Sequence, residues 1–272
     1  MKWLAPVVLA PVFFAAAAPV AADAVSPARL DDLPSADVVL LGEVHDNPRH
    51  HENQARAVAA LKPKALVFEM LTPAQADRIS PEARRSSDAL ALTTGWDTSG
   101  WPDISLYWPI FAAAPAAAIL GAGVARDDMV GLKEKGPAAL FGPEANRFAL
   151  DRPLPAEVQQ AAEEDQRLAH CDLLPDHLLP MMVDAQRLRD AALARATLRA
   201  LEDHGPPVVV IAGSGHVREG AVPAMLRTAV PDLRVISVGQ VEEGAAAQQP
   251  FDLWIVTPPE PRDDPCAALR KP

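Results

Sequence analysis

The chain has 272 residues, with 25 Lys plus Arg against 36 Asp plus Glu and a formal net charge of −11. That excess of carboxylates argues against a nucleic-acid partner, which needs clustered basic side chains. With 49% hydrophobic residues and two cysteines it is neither a disordered chain nor a zinc-cluster protein, and its length suits one large domain, or one domain with insertions.

Residues 1–22 read MKWLAPVVLAPVFFAAAAPVAA. Lys2 gives a positive start, an uncharged run follows from Trp3 to Ala22, and small residues end it. This is the pattern of a cleaved signal peptide, with Asp23 as the first mature residue and the periplasm as destination. An uncleaved membrane anchor is the rival, because so long an apolar run spans a bilayer. Pro6, Pro11 and Pro19 weigh against it, and no cysteine follows the leader to accept a lipid. Export also makes Cys171 and Cys266 an expected disulfide, with two buried thiols as the alternative. In the chain-entropy model so long a closed loop contributes on the order of 4 kcal/mol.

From 23 to 272 the pattern reads as a single α/β domain. DVVLLG at 37–42 is apolar on both faces, as a buried parallel strand is. A helix follows over 48–61, with Asn47 as N-cap, Pro48 in its first turn, and Ala55, Val58, Ala59 and Leu61 facing inward. Further strands are expected at 65–70, 117–124, 207–213, 233–239 and 252–257, with a helix over 222–229. The recurring β-α-β order predicts a mostly parallel central sheet with flanking helices. Two longer stretches, about 72–112 and 126–205, are expected to form a helical cap above one edge of the sheet. The second holds a strong helix over 181–203 with Met182, Ala185, Leu188, Ala192 and Ala196 on one side.

Polar residues gather where three strands end. Glu43 and His45 leave the first strand, His50 and His51 open the next helix, and Glu69 closes the second strand. Gly213-Ser214-Gly215-His216 follows the fourth. Ligands of open α/β sheets bind outside the carboxyl ends of the strands, so His45 and His216 are expected to face one cavity with Glu43 and Glu69 in reach. Three readings remain open: a divalent-metal site of two imidazoles and a carboxylate, a general acid–base pair in which Glu43 orients His45, or polar capping alone. Neither a helical H-E-x-x-H nor a G-x-S-x-G elbow is present.

Trp96, Trp101, Tyr107 and Trp108 crowd the segment 95–111, and Tyr107 is the sole tyrosine. Such a cluster either packs a cap onto the core or walls a flat apolar ligand slot. A tyrosinate is also an iron ligand in some haem proteins. The polar segment from His170 to Asp184, which holds His177, either supplies a ligand or faces solvent.

The strings VVLLGEVHDNPRHHENQ, LVFEML, GWPD, YWPIF, AQRLRD, VVVIAGSGHVREGAVP and DPC together resemble the iron-regulated, haem-binding ChaN-like family. That family lies within the wider Tiki, TraB and erythromycin-esterase superfamily. The resemblance runs from about Asp37 to Cys266. It implies an exported haem-binding protein of bacterial haem or iron uptake or storage, working with an outer-membrane haem receptor, and a homodimer around paired haems. It implies Tyr107 as the iron ligand; the aromatic cluster then offers Trp101 and Trp108 as walls for the haem, and the strand ends offer His45 and His216. It assigns no catalytic activity to this branch. In the enzymatic branches the G-x-x-H motifs, here ending in His45 and His216, form the reactive site with acidic residues. A metal-dependent peptidase or esterase using Glu43, His45, Glu69 and His216 is therefore the alternative. The chain departs from the family pattern at Ser214, where Asn is usual, and in lacking a lipid-acceptor cysteine.

Overall fold

A computed structural model describes residues 24–264, 266 and 267; the leader at 1–22 lies outside the described residues. The strands are β1 (Val38–Glu43), β2 (Ala65–Phe68), β3 (Ala118–Gly121), β4 (Val208–Gly213), β5 (Val235–Glu242) and β6 (Leu253–Thr257). They form one sheet in the order β3-β2-β4-β1-β5-β6, and every pairing is parallel. The helices are α1 (Pro48–Leu61), α2 (Pro73–Ala76), α3 (Ser87–Thr94), α4 (Ile104–Ala113), α5 (Leu132–Phe141), α6 (Ala156–Ala169), α7 (Leu179–His204), α8 (Ser214–Val217) and α9 (Val222–Ala229). Among the described residues no helix is long and apolar enough to cross a membrane.

The apolar runs explain the sheet's centre. All residues of β1 and β4 are buried, because helices cover both faces. On one face Val38, Leu40, Val67, Val208 and Val210 pack with Leu188, Ala191 and Leu198 of α7 and with Val222 and Leu226 of α9. On the other, Val39, Leu41, Leu66, Phe68, Val209 and Ile211 pack with Ala57 and Val58 of α1 and with Tyr107, Ile110 and Phe111 of α4. Phe68 and Phe111 stack at 4.3 Å between centroids.

Two expectations change. The stretch 72–112 and the helix at the end of 126–205 each supply part of the sheet's covering layers, because α4 and α7 bury their apolar faces on the strands. Within the second stretch it is α5 and α6 that stand off, packing on α7. In α1 the inward face is polar toward its N-terminus: His50, His51, Asn53 and Gln54 are buried while Ala59 is exposed. The helix starts over the polar ends of the strands, so its first turns meet hydrogen-bonding groups, while Ala57 and Val58, with the partly buried Ala55 and Leu61, meet the apolar core. Its capping is as expected: the Asn47 side chain accepts from Arg49 N, with Pro48 at N1.

A disulfide joins Cys171 to Cys266. It ties the connection between α6 and α7 to the segment after β6. Arg262 of that segment also pairs with Asp46 and Glu242 at the carboxyl end of the sheet.

Candidate functional site

The strand order brings β2, β4 and β1 side by side, with Glu43 opposite Gly213 in the β1–β4 register. Glu69 follows β2 directly and its N–H donates to Ile211 O at 3.1 Å. The strand-end residues therefore meet above the middle of the sheet.

Glu43 is 2% exposed. Its Oε1 accepts from His45 Nδ1 and from the Tyr107 hydroxyl, each at 2.7 Å, and its Oε2 accepts from Gln54 Nε2 at 2.8 Å. A carboxylate only accepts, so the His45 proton sits on Nδ1 and the Nε2 lone pair is left free. Burial alone lowers the His45 pKa; the bond to Glu43 and the nearby Glu69 outweigh it, and the net shift is upward. Gly213 makes room for this ring, since a Cβ there would stand 2.9 Å from His45 Nε2.

His216, on α8, has neither ring nitrogen free. Nδ1 bonds Asp190 Oδ1 at 2.6 Å and Nε2 lies 3.3 Å from Glu69 Oε1, while Glu69 Oε2 accepts from Gly213 N at 2.8 Å. Burial opposes the imidazolium, but the two carboxylates prevail and hold its pKa up at about 10. Burial likewise opposes ionisation of Glu69, yet His216, His45 and the Gly213 amide pull its pKa down to about 2. At neutral pH His216 is thus an imidazolium held between Asp190 and an ionised Glu69.

The other histidines of the motif hold backbone. His51 Nε2 donates to His45 O at 2.9 Å, and its Nδ1 is buried 3.6 Å from Glu43 Oε2 without a hydrogen bond. His50 Nδ1 accepts from Val44 N, and its Nε2 bonds Thr257 Oγ1, both at 2.8 Å. Burial is the main cause that pushes the His50 pKa down to about 4.

A cavity of about 640 Å³ opens over these strand ends, within the roughly 300–1,000 Å³ usual for ligand pockets. His45, Glu69 and His216 lie on its wall, with Trp101, Met70, Met182 and Leu193 as apolar surface. Trp101 stands 4.8 Å from the His45 ring. Arg126, Arg189 and His170 belong to the polar lining, with Thr72, Gln75, Ser99 and Gln186. Arg189 bonds Gln186 and Met129 in place of a carboxylate. His170 Nδ1 donates to Gln166 O at 2.8 Å, which leaves its Nε2 as the free nitrogen.

The aromatic cluster divides. Trp101 lines the cavity, whereas Trp108 sends its indole N–H to Arg84 O and Trp96 sends its own to Pro102 O. Tyr107 is fully buried between Trp96 and His51 and is absent from the cavity wall. Burial first, then the charge of Glu43, drives its pKa upward. Iron ligation requires a reachable phenolate, and this environment disfavours both access and ionisation. In this arrangement Tyr107 is bonded to Glu43 and lies behind the cavity wall, so the iron-ligand role expected of it requires the ring to move, and Trp108 is not beside the cavity. The open metal-site reading fares no better: among the described residues no group of three or more His, Cys, Asp or Glu is placed to hold a metal ion. The nitrogens and oxygens of Glu43, Glu69 and His216 already bond one another or Tyr107, Gln54, Asp190 and Gly213.

Sequence reasoning did not single out Asp190, Gln54, Arg126 or Arg189. Arg189 and Asp190 close the string AQRLRD and Gln54 closes VVLLGEVHDNPRHHENQ, so all three lie in strings that carry the resemblance, without a role of their own. His170 lies in the flagged polar segment, while His177 of that segment is exposed.

The fold and site define a class: a parallel α/β protein with a histidine- and arginine-bearing cavity at the carboxyl ends of its central strands. The family model described as "Haem-binding uptake, Tiki superfamily, ChaN" matches residues 29–226, and the chain belongs to that family. Among solved structures it is similar in fold to ChaN of Campylobacter jejuni, a structure of cofacial heme binding. The TM-score is 0.59 and the identity 20%, over 80% of this chain and 86% of that one. Fainter similarities are to the type III effector HopBA1 (TM-score 0.43, 12% identity, 82% and 88% covered) and to a mutant of the erythromycin esterase EreC (TM-score 0.40, 15% identity, 77% and 71% covered). None of the curated proteins matches the chain.

Proposed function

We propose that the cavity over β1, β2 and β4 binds haem, for uptake or storage of haem iron in the periplasm after cleavage before Asp23. The observation that carries this reading is the cavity wall, which combines apolar surface, an imidazole nitrogen free to ligate and two arginines. His45 Nε2 is the iron-directed group, held in register by Glu43, and His170 Nε2 is the second nitrogen available on the same wall. Trp101 offers a flat apolar face, and Arg126 and Arg189 suit the propionates. Haem supplies iron held in a macrocycle; the chain supplies shape, orientation and counter-charge. A homodimer around paired haems and delivery from an outer-membrane receptor belong to the same reading, supported by the family alone.

Titration of ferric haem into the purified mature chain tests it. A saturable Soret shift is expected, weakened roughly tenfold in the Arg126→Ala, Arg189→Ala double variant. A linear, unsaturable response would reject the reading.

Hydrolysis is a second reading, favoured by one observation: a buried carboxylate orients His45 so that its free nitrogen is on the cavity wall, as a general base requires. Ester or peptide turnover by the metal-free chain, abolished in His45→Ala, would establish it.

A further inference from the structure

We infer that the protein has a second ligand site, for a small uncharged apolar molecule bearing an O–H or N–H donor, between α6, α7 and α9. A pocket of about 220 Å³ lies there, on the adjoining face of α7, sharing only Gln186 with the histidine cavity. Phe148, Val183 and Met225 are among the side chains that make it apolar. It is too small for a helix and would hold about seven waters at roughly 30 Å³ each, or one compact ring.

The polar groups on its wall decide what suits it. Arg187 is already bonded to Ala149 O and Arg152 O and paired with Asp184, and Arg218 is paired with Asp165. Asp190 Oδ1 is committed to His216. Among the wall's polar side chains, Gln166, 8% exposed, is the one with a buried atom lacking a hydrogen-bond partner, its side-chain Oε1. A buried acceptor left without a donor is destabilising, because it has lost its water and gained no partner. An apolar molecule with one donor satisfies it while covering the apolar wall; an anion would face Asp190, and a cation would face two arginines.

The position also couples this pocket to the histidine cavity. Asp190, on the pocket wall, holds His216, and the backbone carbonyl of Gln166 holds His170 Nδ1. An occupant therefore touches the residues that orient two histidines of the other cavity. The site does not depend on what that other cavity binds.

Phenol and anisole are suitable probes, alike in shape but only phenol having a donor. The experiment is titration of each into the full mature chain without haem, followed by calorimetry and by the imidazole resonances. Phenol should bind saturably with a dissociation constant of about 1 mM. Anisole should bind roughly tenfold more weakly, and Gln166→Met should lose the same factor for phenol. Saturating phenol should move the His216 and His170 resonances. Ala224→Phe, which fills the pocket from α9, should abolish binding and serves as a second variant if Gln166→Met folds poorly. Unsaturable phenol binding would mean a solvent-filled groove and overturn the proposal. So would equal affinities for phenol and anisole, or binding that survives both substitutions.

Discussion

Two histidines reach the same cavity from adjacent strands and end in opposite states. His216 lies between Asp190 and Glu69 with both nitrogens occupied, is held charged, and its side chain is 12% exposed. His45 has one carboxylate behind it and a free nitrogen in front, and its side chain is 33% exposed. The difference is one of count: a second carboxylate turns an available imidazole into a fixed charge. The sealed unit joins α7 to the sheet ends, and the open one presents its free nitrogen to the cavity.

The most severe way to break this contrast is Asp190→Ala. It leaves the buried imidazolium with Glu69 alone, and removing one member of a buried ion pair costs about 3–5 kcal/mol. Urea unfolding at neutral pH should show a loss of that size. A loss under 1 kcal/mol would mean that the unit is not bracing the fold.

Acidification sharpens the contrast with a third histidine. His50 is buried neutral, with its pKa near 4 in the folded chain against an ordinary value of 6.5. Its stabilisation is complete above pH 6.5 and is lost as pH falls through 4, on the order of 3 kcal/mol. His216, shifted upward, behaves oppositely: its contribution is complete below 6.5 and is lost as pH rises through about 10. Glu69, shifted down, contributes fully above its ordinary 4.5 and loses that contribution as pH falls through about 2. Unfolding free energies across the pH range should therefore fall on both sides of neutrality. His50→Gln should flatten the limb between pH 6.5 and 4 and leave the alkaline limb in place.

The smallest expected effect is Tyr107→Phe. The ring stays packed against Trp96 and His51, and Glu43 Oε1 keeps the His45 bond. The loss is one hydrogen bond to a carboxylate, about 1.5 kcal/mol. Thermal unfolding measures it, and no measurable change would show that the hydroxyl bond to Glu43 contributes nothing.

Much of this was legible in the residues. The apolar runs at 37–42 and 207–213 mark buried parallel strands, and the rule that ligands gather at strand carboxyl ends places Glu43, His45, Glu69 and His216 together before any coordinates. The disulfide followed from the expectation of export and a count of two. Asp190 was hidden because a lone carboxylate on a helix reads as solvent-facing, and only the packing of α7 over β4 turns it toward His216. The ligand role for Tyr107 is what the family resemblance implies, beside its place as the sole tyrosine among tryptophans. Yet Ile104, Tyr107, Ile110 and Phe111 recur at helical spacing, and that pattern puts the ring in the core. In α1, hydrophobicity alone missed the buried face, because His50, Asn53 and Gln54 are buried by hydrogen bonds to Thr257, Gln240 and Glu43.

The central claim, that the open histidine and not the buried tyrosine receives the iron, is tested most directly by parallel ferric-haem titrations of His45→Ala and Tyr107→Phe, with absorption and resonance Raman spectra of each complex. The account predicts a wild-type spectrum and affinity for Tyr107→Phe, and for His45→Ala a changed ligation signature with affinity down by at least about tenfold, since a metal–ligand bond outweighs an ordinary hydrogen bond. An unaltered His45→Ala spectrum beside a lost phenolate signature in Tyr107→Phe would contradict it.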